Sequence, residues 1–149
     1  MPKIRKPSIL GKEIIAEYDY EKIRERVLSY FYKYRRYMNK IDLIESSYNA
    51  CLSNDNLGIL SSKISDPTGI KVQRMEEEKR YIDMMNKSLK SLKFRLTTDE
   101  KIILEYSILS NHTDDDLAFA LSLDKSNIYQ RKKSCFIKVA IYYQLEVMR

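Results

Sequence analysis

The sequence predicts an all-α protein in which a long N-terminal helical hairpin precedes a C-terminal domain of three helices. Two stripes of apolar and aromatic residues recur every three or four positions, and each extends over many helical turns. Two later segments begin with threonine followed by acidic residues, which is a common helix start. The predicted boundaries are a basic flexible arm over residues 1–18, the hairpin over 19–94 and the three-helix domain over 95–149.

The first predicted helix covers residues 19–53. Its stripe, at helical spacing over about nine turns, consists of Ile23, Val27, Tyr30, Tyr34, Tyr37, Ile41, Ile44, Tyr48 and Leu52. The run YFYKYRRY at 30–37 puts tyrosines on one side of this helix and Lys33 with Arg36 on the other. This arrangement favours a packed seam with a solvated basic back over rings that stack on bases.

The second predicted helix covers residues 66–94. Pro67 directly after Asp66 is a start signal, and a loop of under about 20 residues separates the two helices. Helices of similar length joined this way most simply form an antiparallel hairpin. Two helices cannot cover so many tyrosines by themselves, so this face packs either on the C-terminal domain or on another copy as a homo-oligomer.

The C-terminal domain has three predicted helices, the last two close together. The first begins near Thr97 and Thr98, ahead of Ile102 to Tyr106. The second begins after Thr113 with three aspartates and carries Leu117, Ala118 and Leu121 at helical spacing. After the short turn 122–124, the third extends from about Lys125 to Leu145. Ile128 lies ten residues after Ala118. This spacing places an apolar residue of the last helix against the helix before it, which predicts a helix-turn-helix.

The third helix of this domain carries the chemistry of a DNA-reading surface, and double-stranded DNA is the predicted partner. Asn127 and Gln130 suit adenine edges. The candidate DNA-binding residues are Lys125, Ser126, Asn127, Tyr129, Gln130, Arg131, Lys132 and Lys133. Among them Lys125, Ser126, Tyr129 and Lys133 are expected at guanine, a thymine methyl group or phosphate, and Arg131 with Lys132 at the DNA backbone.

Charge changes sign at the turn between the last two helices. The chain has 27 Lys and Arg against 21 Asp and Glu, a formal net charge of +6. Residues 96–124 carry 1 basic and 7 acidic groups, whereas residues 125–149 carry 6 basic and 1 acidic group. Because the helix before the turn is acidic and the helix after it is basic, we expect a polyanion to attract the basic side of the domain.

The order of these segments resembles a family of phage late-gene transcriptional regulators, those of the ArpU and RinA kind. The resemblance covers LTTDEKIIL, TDDDLAFALSLDKSNIY and RKKSCFIKVA within 96–145, together with YFYKYRRY at 30–37 and SDPTG at 65–69. It implies a helix-turn-helix like that of sigma-factor region four, activation of phage or prophage late genes for packaging and lysis, and host RNA polymerase as a partner. The sequence departs from this family in having Ser122 where the turn often has glycine, and Cys135 where alanine is more common.

Several classes of function are not expected from this sequence. Cys51 and Cys135 are far apart and have no metal-ligand spacing, and His112 is the single histidine. The glycines at 11, 58 and 69 are too scattered for a phosphate-binding loop. The expectation is therefore no enzymatic activity, no cofactor, no metal and no small-molecule substrate. No apolar run approaches the roughly 20 residues that span a bilayer, which predicts a cytoplasmic protein without membrane contact.

Two other functions fit the same pattern. A subunit like the phage small terminase combines a helix-turn-helix with a helical oligomerisation segment, and it marks DNA for packaging. A helical adaptor would use the tyrosine-lined hairpin to hold a protein partner, and its binding to any duplex would be weak and would collapse with modest salt.

Overall fold

The computed structural model describes residues 6–52, 68–110 and 112–149, with side chains described outside 47–52 and 68–75. The secondary structure of these ranges consists of α1 (Lys12–Ala16), α2 (Tyr20–Leu52), α3 (Thr68–Lys93), α4 (Thr98–Ile103), a π-helical segment (Leu104–Ile108), α5 (Asp114–Leu121) and α6 (Lys125–Tyr142). These ranges contain no strand beyond an isolated bridge between Tyr18 and Met148. The all-α prediction is confirmed.

Some sequence predictions concern residues outside the described part of the chain. These are the first five residues of the basic arm, the loop at 53–67 with Ser65, Asp66 and Pro67, and the side chains of Tyr48, Cys51 and Leu52. The bounds of the long helices fall close to the predicted ones, since α2 covers 20–52 and α3 covers 68–93.

Helix α6 ends three residues earlier than predicted. Gln144 has a φ of 59°, and the Leu145 amide donates to the Ala140 carbonyl at 2.7 Å. A left-handed residue followed by such a backward hydrogen bond terminates a helix and satisfies its last carbonyls. Apolar periodicity continues past this point, so the sequence pattern carried no signal for the end.

The contacts divide the chain into two compact units that differ from the predicted domains. One, called here the terminal unit, consists of Met1–Tyr32 and Ser88–Arg149, and the other, the middle unit, consists of Lys33–Lys87. The first turns of α2 therefore belong with the C-terminal helices. Their aromatic residues explain why, because the Tyr20 ring contacts Phe136 edge to face at 5.9 Å and the Phe31 ring contacts Tyr143 at 5.3 Å.

The core of the terminal unit includes one face of α2. Ile23, Val27 and Phe31 are 0% exposed and follow one another at intervals of four residues. The predicted stripe passed through Tyr30 instead, yet Tyr30 is 38% exposed. A strict interval of four keeps the more apolar Phe31 inside, and Tyr30 instead contacts the Tyr143 ring at 4.9 Å.

In the middle unit α2 and α3 run antiparallel. Three pairs of side chains join them: Tyr34 Oη donates to Asn86 Oδ1 at 2.6 Å, the Tyr37 and Tyr81 rings lie 5.5 Å apart, and Lys40 Nζ donates to Glu78 Oε1 at 2.9 Å. Residue numbers rise along one helix as they fall along the other. Lys33, expected on the solvated back, lies with its Nζ 4.6 Å from the centre of the Tyr81 ring.

Residues 8–16 of the predicted flexible arm form a short helix and two long-range contacts. Lys12–Ala16 forms α1, and two contacts fix the backbone ahead of it. The Leu10 amide donates to Ser134 Oγ at 2.8 Å, and Lys138 Nζ donates to the Ser8 carbonyl at 2.6 Å. Both contacts join residues more than a hundred positions apart, which no local sequence pattern indicates.

Candidate nucleic-acid interface

The acidic start of α5 is a capping arrangement. Thr113 Oγ1 accepts a hydrogen bond from the Asp116 amide at 3.2 Å, and Asp116 Oδ2 accepts one from the Thr113 amide at 3.3 Å. Hydrogen bonds from Thr113 lower the pKa of Asp116 below its ordinary value, and the bond from the Thr113 backbone has a larger effect than the bond from its side chain. Asp116 therefore has a structural role at the N-terminus of α5.

The turn between α5 and α6 uses a left-handed serine. Ser122 has a φ of 54° and a ψ of 40°, the conformation for which glycine is usual. The Leu123 amide donates to the Ala118 carbonyl at 3.2 Å, and the Ser122 amide to the Phe119 carbonyl at 3.3 Å. Ser122 thus fulfils the role of the glycine that the sequence lacks here.

Helix α6 begins at a well-formed cap and returns its first apolar side chain to the core. Asp124 Oδ1 accepts from the Asn127 amide at 3.2 Å. Ile128 is 2% exposed and Leu117 on α5 is 0% exposed. The predicted burial of Ile128 is confirmed, whereas Ala118 is only half-buried. Burial of Ile128 orients the residues on either side of it away from the core.

The candidate residues on the first turns of α6 differ in exposure. Lys125, Ser126, Asn127 and Tyr129 are exposed, and Gln130 is half-buried. The polar and aromatic groups expected to read bases therefore lie at the surface of one helix end, over about one and a half turns.

Three cations of α6 form ion pairs within the protein that the sequence did not predict. They pair with aspartates of α4 and α5: Lys125 with Asp115 at 2.9 Å, Arg131 with Asp99 at 3.1 Å, and Lys132 with Asp114 at 2.8 Å. Arg131 Nε is close to Asp99 without the alignment of a hydrogen bond, and its Nη1 donates to the Asn127 carbonyl at 3.2 Å. The Lys132 side chain is only 12% exposed, which disfavours a direct role at the DNA surface.

The pair between Lys125 and Asp115 is the most accessible of the three. The two side chains are 73% and 77% exposed, and the hydrogen bond to Asp115 raises the pKa of Lys125. An exposed pair of this kind contributes little to stability. Lys125 can therefore exchange its carboxylate partner for a phosphate.

Lys133 sits against two tyrosines. Its Nζ lies 4.3 Å from the centre of the Tyr129 ring and 5.6 Å from that of Tyr20. The two rings meet edge to face at 6.0 Å. Burial raises the pKa of Tyr20, so its phenol stays neutral at physiological pH.

The outer face of α6 borders a cleft of about 480 Å³ within the terminal unit. One wall is α6, with Ser126, Asn127, Tyr129, Gln130 and Lys133. The other wall consists of Lys12, Ile15, Ala16, Tyr18, Tyr20 and Arg149. Lys12 lies in the predicted flexible arm and Arg149 had no predicted role, because neither residue has a periodic pattern that connects it to α6.

A buried ion pair joins α6 to α4. Glu100, which is 0% exposed, contacts Lys138 Nζ through Oε1 at 2.6 Å and accepts from Ser134 Oγ through Oε2 at 2.8 Å. Neither Lys138 nor Ser134 was a predicted functional residue. A lysine within an apolar helical stripe is the one signal that could have indicated a buried partner.

The described residues offer no metal centre and no reactive thiol. No group of three or more His, Cys, Asp or Glu side chains comes together in the described ranges. Cys135 is fully buried, its Sγ donates to the Glu100 carbonyl at 3.4 Å, and burial raises the pKa of its thiol. None of the described helices combines the length and apolar character needed to cross a membrane.

Comparison of the chain with protein-family models, curated proteins and solved structures finds no match.

Proposed function

We propose that the protein is a sequence-specific DNA-binding transcriptional regulator in which α5 and α6 act as a helix-turn-helix. The observation that carries the proposal is the exposed polar set on the first turns of α6, beside the buried Ile128. In helix-turn-helix proteins the N-terminal residues of the second helix contact base edges in the major groove. Here these residues are Lys125, Ser126, Asn127 and Tyr129, followed by Gln130.

The side chains divide between reading and positioning. Asn127 and Gln130 have the amide geometry for adenine, and Ser126 and Tyr129 suit base edges or phosphate. Lys125 and Lys133 are the cations expected at phosphate or guanine. In this proposal Arg131 and Lys132 position α6 through their ion pairs with Asp99 and Asp114. These two cations contact DNA only when their ion pairs break.

The regulatory part of the proposal draws on the resemblance to phage late-gene regulators. We assign the protein to the bacterial cytoplasm, encoded by a phage or prophage, where it would activate late genes by placing host RNA polymerase at a promoter. A homo-oligomer through the N-terminal helices is compatible with this role, since paired half-sites are common for such motifs.

Selection of bound fragments from the genome that encodes the protein tests this proposal. Fragments bound at about physiological salt are sequenced for the wild type and for Asn127→Ala combined with Gln130→Ala. Asn39→Ala, an exposed amide on α2, is the matched control. We expect one or a few enriched sites upstream of a packaging or lysis operon, lost in the double variant and kept in the control.

Other outcomes overturn parts of the proposal. Enrichment at a packaging initiation site, together with ring assembly in solution, would replace the regulator by a subunit like the small terminase. Absence of any enriched site, with weak binding that vanishes at modest salt, would favour a protein adaptor.

A further inference from the structure

The cleft beside α6 combines features that a simple DNA-facing helix does not require. Lys12, Lys133 and Arg149 bring three cations to it, each from a different part of the chain. The lining that the structure describes includes no Asp or Glu. A concave site lined by cations attracts an anion more strongly than the same charges on an open surface.

The remaining lining supplies aromatic and amide groups. Tyr129 is 50% exposed, so part of its ring is available for stacking. Asn127 and Gln130 each carry one carbonyl oxygen and one amino group, which together can pair with the donors and acceptors on the edge of a nucleobase. The side chains of Ile15 and Ala16 give part of the opposite wall apolar character.

We propose that this cleft binds a small anionic ligand of the nucleotide class. Its volume of about 480 Å³ lies in the range of roughly 300–1,000 Å³ typical of small-molecule sites. Lys12, Lys133 and Arg149 hold the phosphate, and Tyr129 contacts the base. The neutral phenol of Tyr20 adds no negative charge beside the phosphate. The molecule acts as a ligand, and no reaction of it is proposed.

The site has a consequence for regulation. Asn127, Tyr129 and Gln130 line the cleft and are also the residues proposed to read bases. A nucleotide in the cleft therefore excludes duplex DNA from these side chains. This consequence rests on the proposed function, whereas binding of the nucleotide itself does not.

Titration calorimetry of the full chain with AMP, GMP, CMP and UMP tests the proposal. We expect saturable binding of at least one nucleotide, with the corresponding nucleoside and inorganic phosphate each binding more weakly. Lys12→Gln should weaken the nucleotide on the order of tenfold, because a hydrogen bond to a charged group is lost. Lys101→Gln, an exposed lysine on α4 outside the cleft, should leave the affinity unchanged.

Two measurements keep the test independent of folding and of DNA binding. Circular dichroism establishes that Lys12→Gln melts like the wild type, and nucleotide-induced NMR shifts at Tyr129 and Lys133 locate the site in the wild type. Absence of saturable binding by all four nucleotides, shifts confined to other residues, or equal affinity of the Lys12→Gln variant would overturn the inference. Nucleotide binding without any duplex binding would instead remove the proposed function and leave the cleft site standing.

Discussion

Lys138 Nζ lies 2.6 Å from Oε1 of Glu100, and the Glu100 side chain is fully buried. The same carboxylate accepts the Thr97 amide at 3.0 Å, and Lys138 Nζ also donates to the Ser8 carbonyl at 2.6 Å. The pair therefore links the start of α4, the middle of α6 and the N-terminal segment. Its partners satisfy both charges, which is the condition under which a buried pair is tolerated.

Removal of one charge of this pair should be strongly destabilising. We expect Glu100→Gln to lower the free energy of unfolding by about 3 kcal/mol, because Lys138 is left as an uncompensated, largely buried cation. Urea unfolding followed by circular dichroism measures the change. Adding Lys138→Met should recover part of the loss, since the double variant no longer buries a lone charge.

The matched control is the exposed pair between Lys93 and Glu105. Their charged atoms are nearly as close, at 2.7 Å, but the side chains are 39% and 47% exposed. Glu105→Gln should therefore cost less than about 1 kcal/mol. Equal losses for Glu100→Gln and Glu105→Gln would contradict the role given to burial.

The left-handed backbone of Ser122 predicts opposite effects for two substitutions. Ser122→Gly should be neutral or stabilising by up to about 1 kcal/mol, because glycine adopts a φ near 54° without a steric penalty. Ser122→Val should be destabilising by more than about 1 kcal/mol, since a β-branched side chain is strained there. Thermal unfolding of both variants measures the difference, and a valine variant as stable as the glycine variant would argue against this turn conformation.

The capping box of α5 predicts a pH dependence at Asp116. Its folded pKa lies below the ordinary value because the Thr113 backbone and side chain bond to the carboxylate. The stabilisation is therefore present above the unfolded pKa of about 3.9, and it is lost as pH falls through the folded pKa. NMR titration of the Asp116 carboxyl measures this shift. Thr113→Ala should raise the pKa toward its ordinary value, Thr98→Ala should not, and equal pKa values in all three proteins would refute the assignment.

The exposed ion pair between Lys125 and Asp115 predicts that loss of Asp115 increases the affinity for duplex DNA. Asp115→Asn frees Lys125 and removes a negative charge beside the proposed interface. Duplex affinity should rise by up to about fivefold at low salt, and the gain should shrink as salt increases. The pKa of Lys125 should also fall toward its ordinary value, because its raised value comes from Asp115. Glu146→Gln removes an acid from the segment after α6 and is the control, since general loss of negative charge would raise affinity equally in both variants.

Periodicity and capping chemistry were sufficient for the long helices of this chain. The stripe from Ile23 predicted α2 within one residue at each end, and Thr113 with its three aspartates predicted the start of α5. Local signals of this kind depend on neighbours within a few residues. The prediction that Tyr30 lies in the core was wrong because spacings of three and four are both helical. Both rings contact Tyr143, yet Phe31 is 0% exposed and Tyr30 is 38% exposed.

The contacts that α6 makes with distant parts of the chain could not be predicted from the sequence. A helix as short as α1 has no measurable period. The backbone ahead of it is held by two hydrogen bonds with α6, in which the Leu10 amide donates to Ser134 Oγ and Lys138 Nζ donates to the Ser8 carbonyl. The pairing of Lys132 with Asp114 has the same origin, since charges far apart in sequence meet only in the folded chain. The candidate residues were therefore predicted by type, but their exposure was not.

NMR mapping on the full chain identifies the surface that contacts duplex DNA, and it tests whether α6 reads the bases. A duplex that carries an enriched genomic sequence is titrated into isotope-labelled protein, beside a scrambled duplex of the same length and composition. We expect the largest shifts unique to the enriched duplex at Lys125, Ser126, Asn127, Tyr129 and Gln130, and we expect them to disappear in the Asn127→Ala, Gln130→Ala variant. Identical shifts for both duplexes, or shifts confined to the basic residues of α2, would contradict the assignment of α6 as the reading helix.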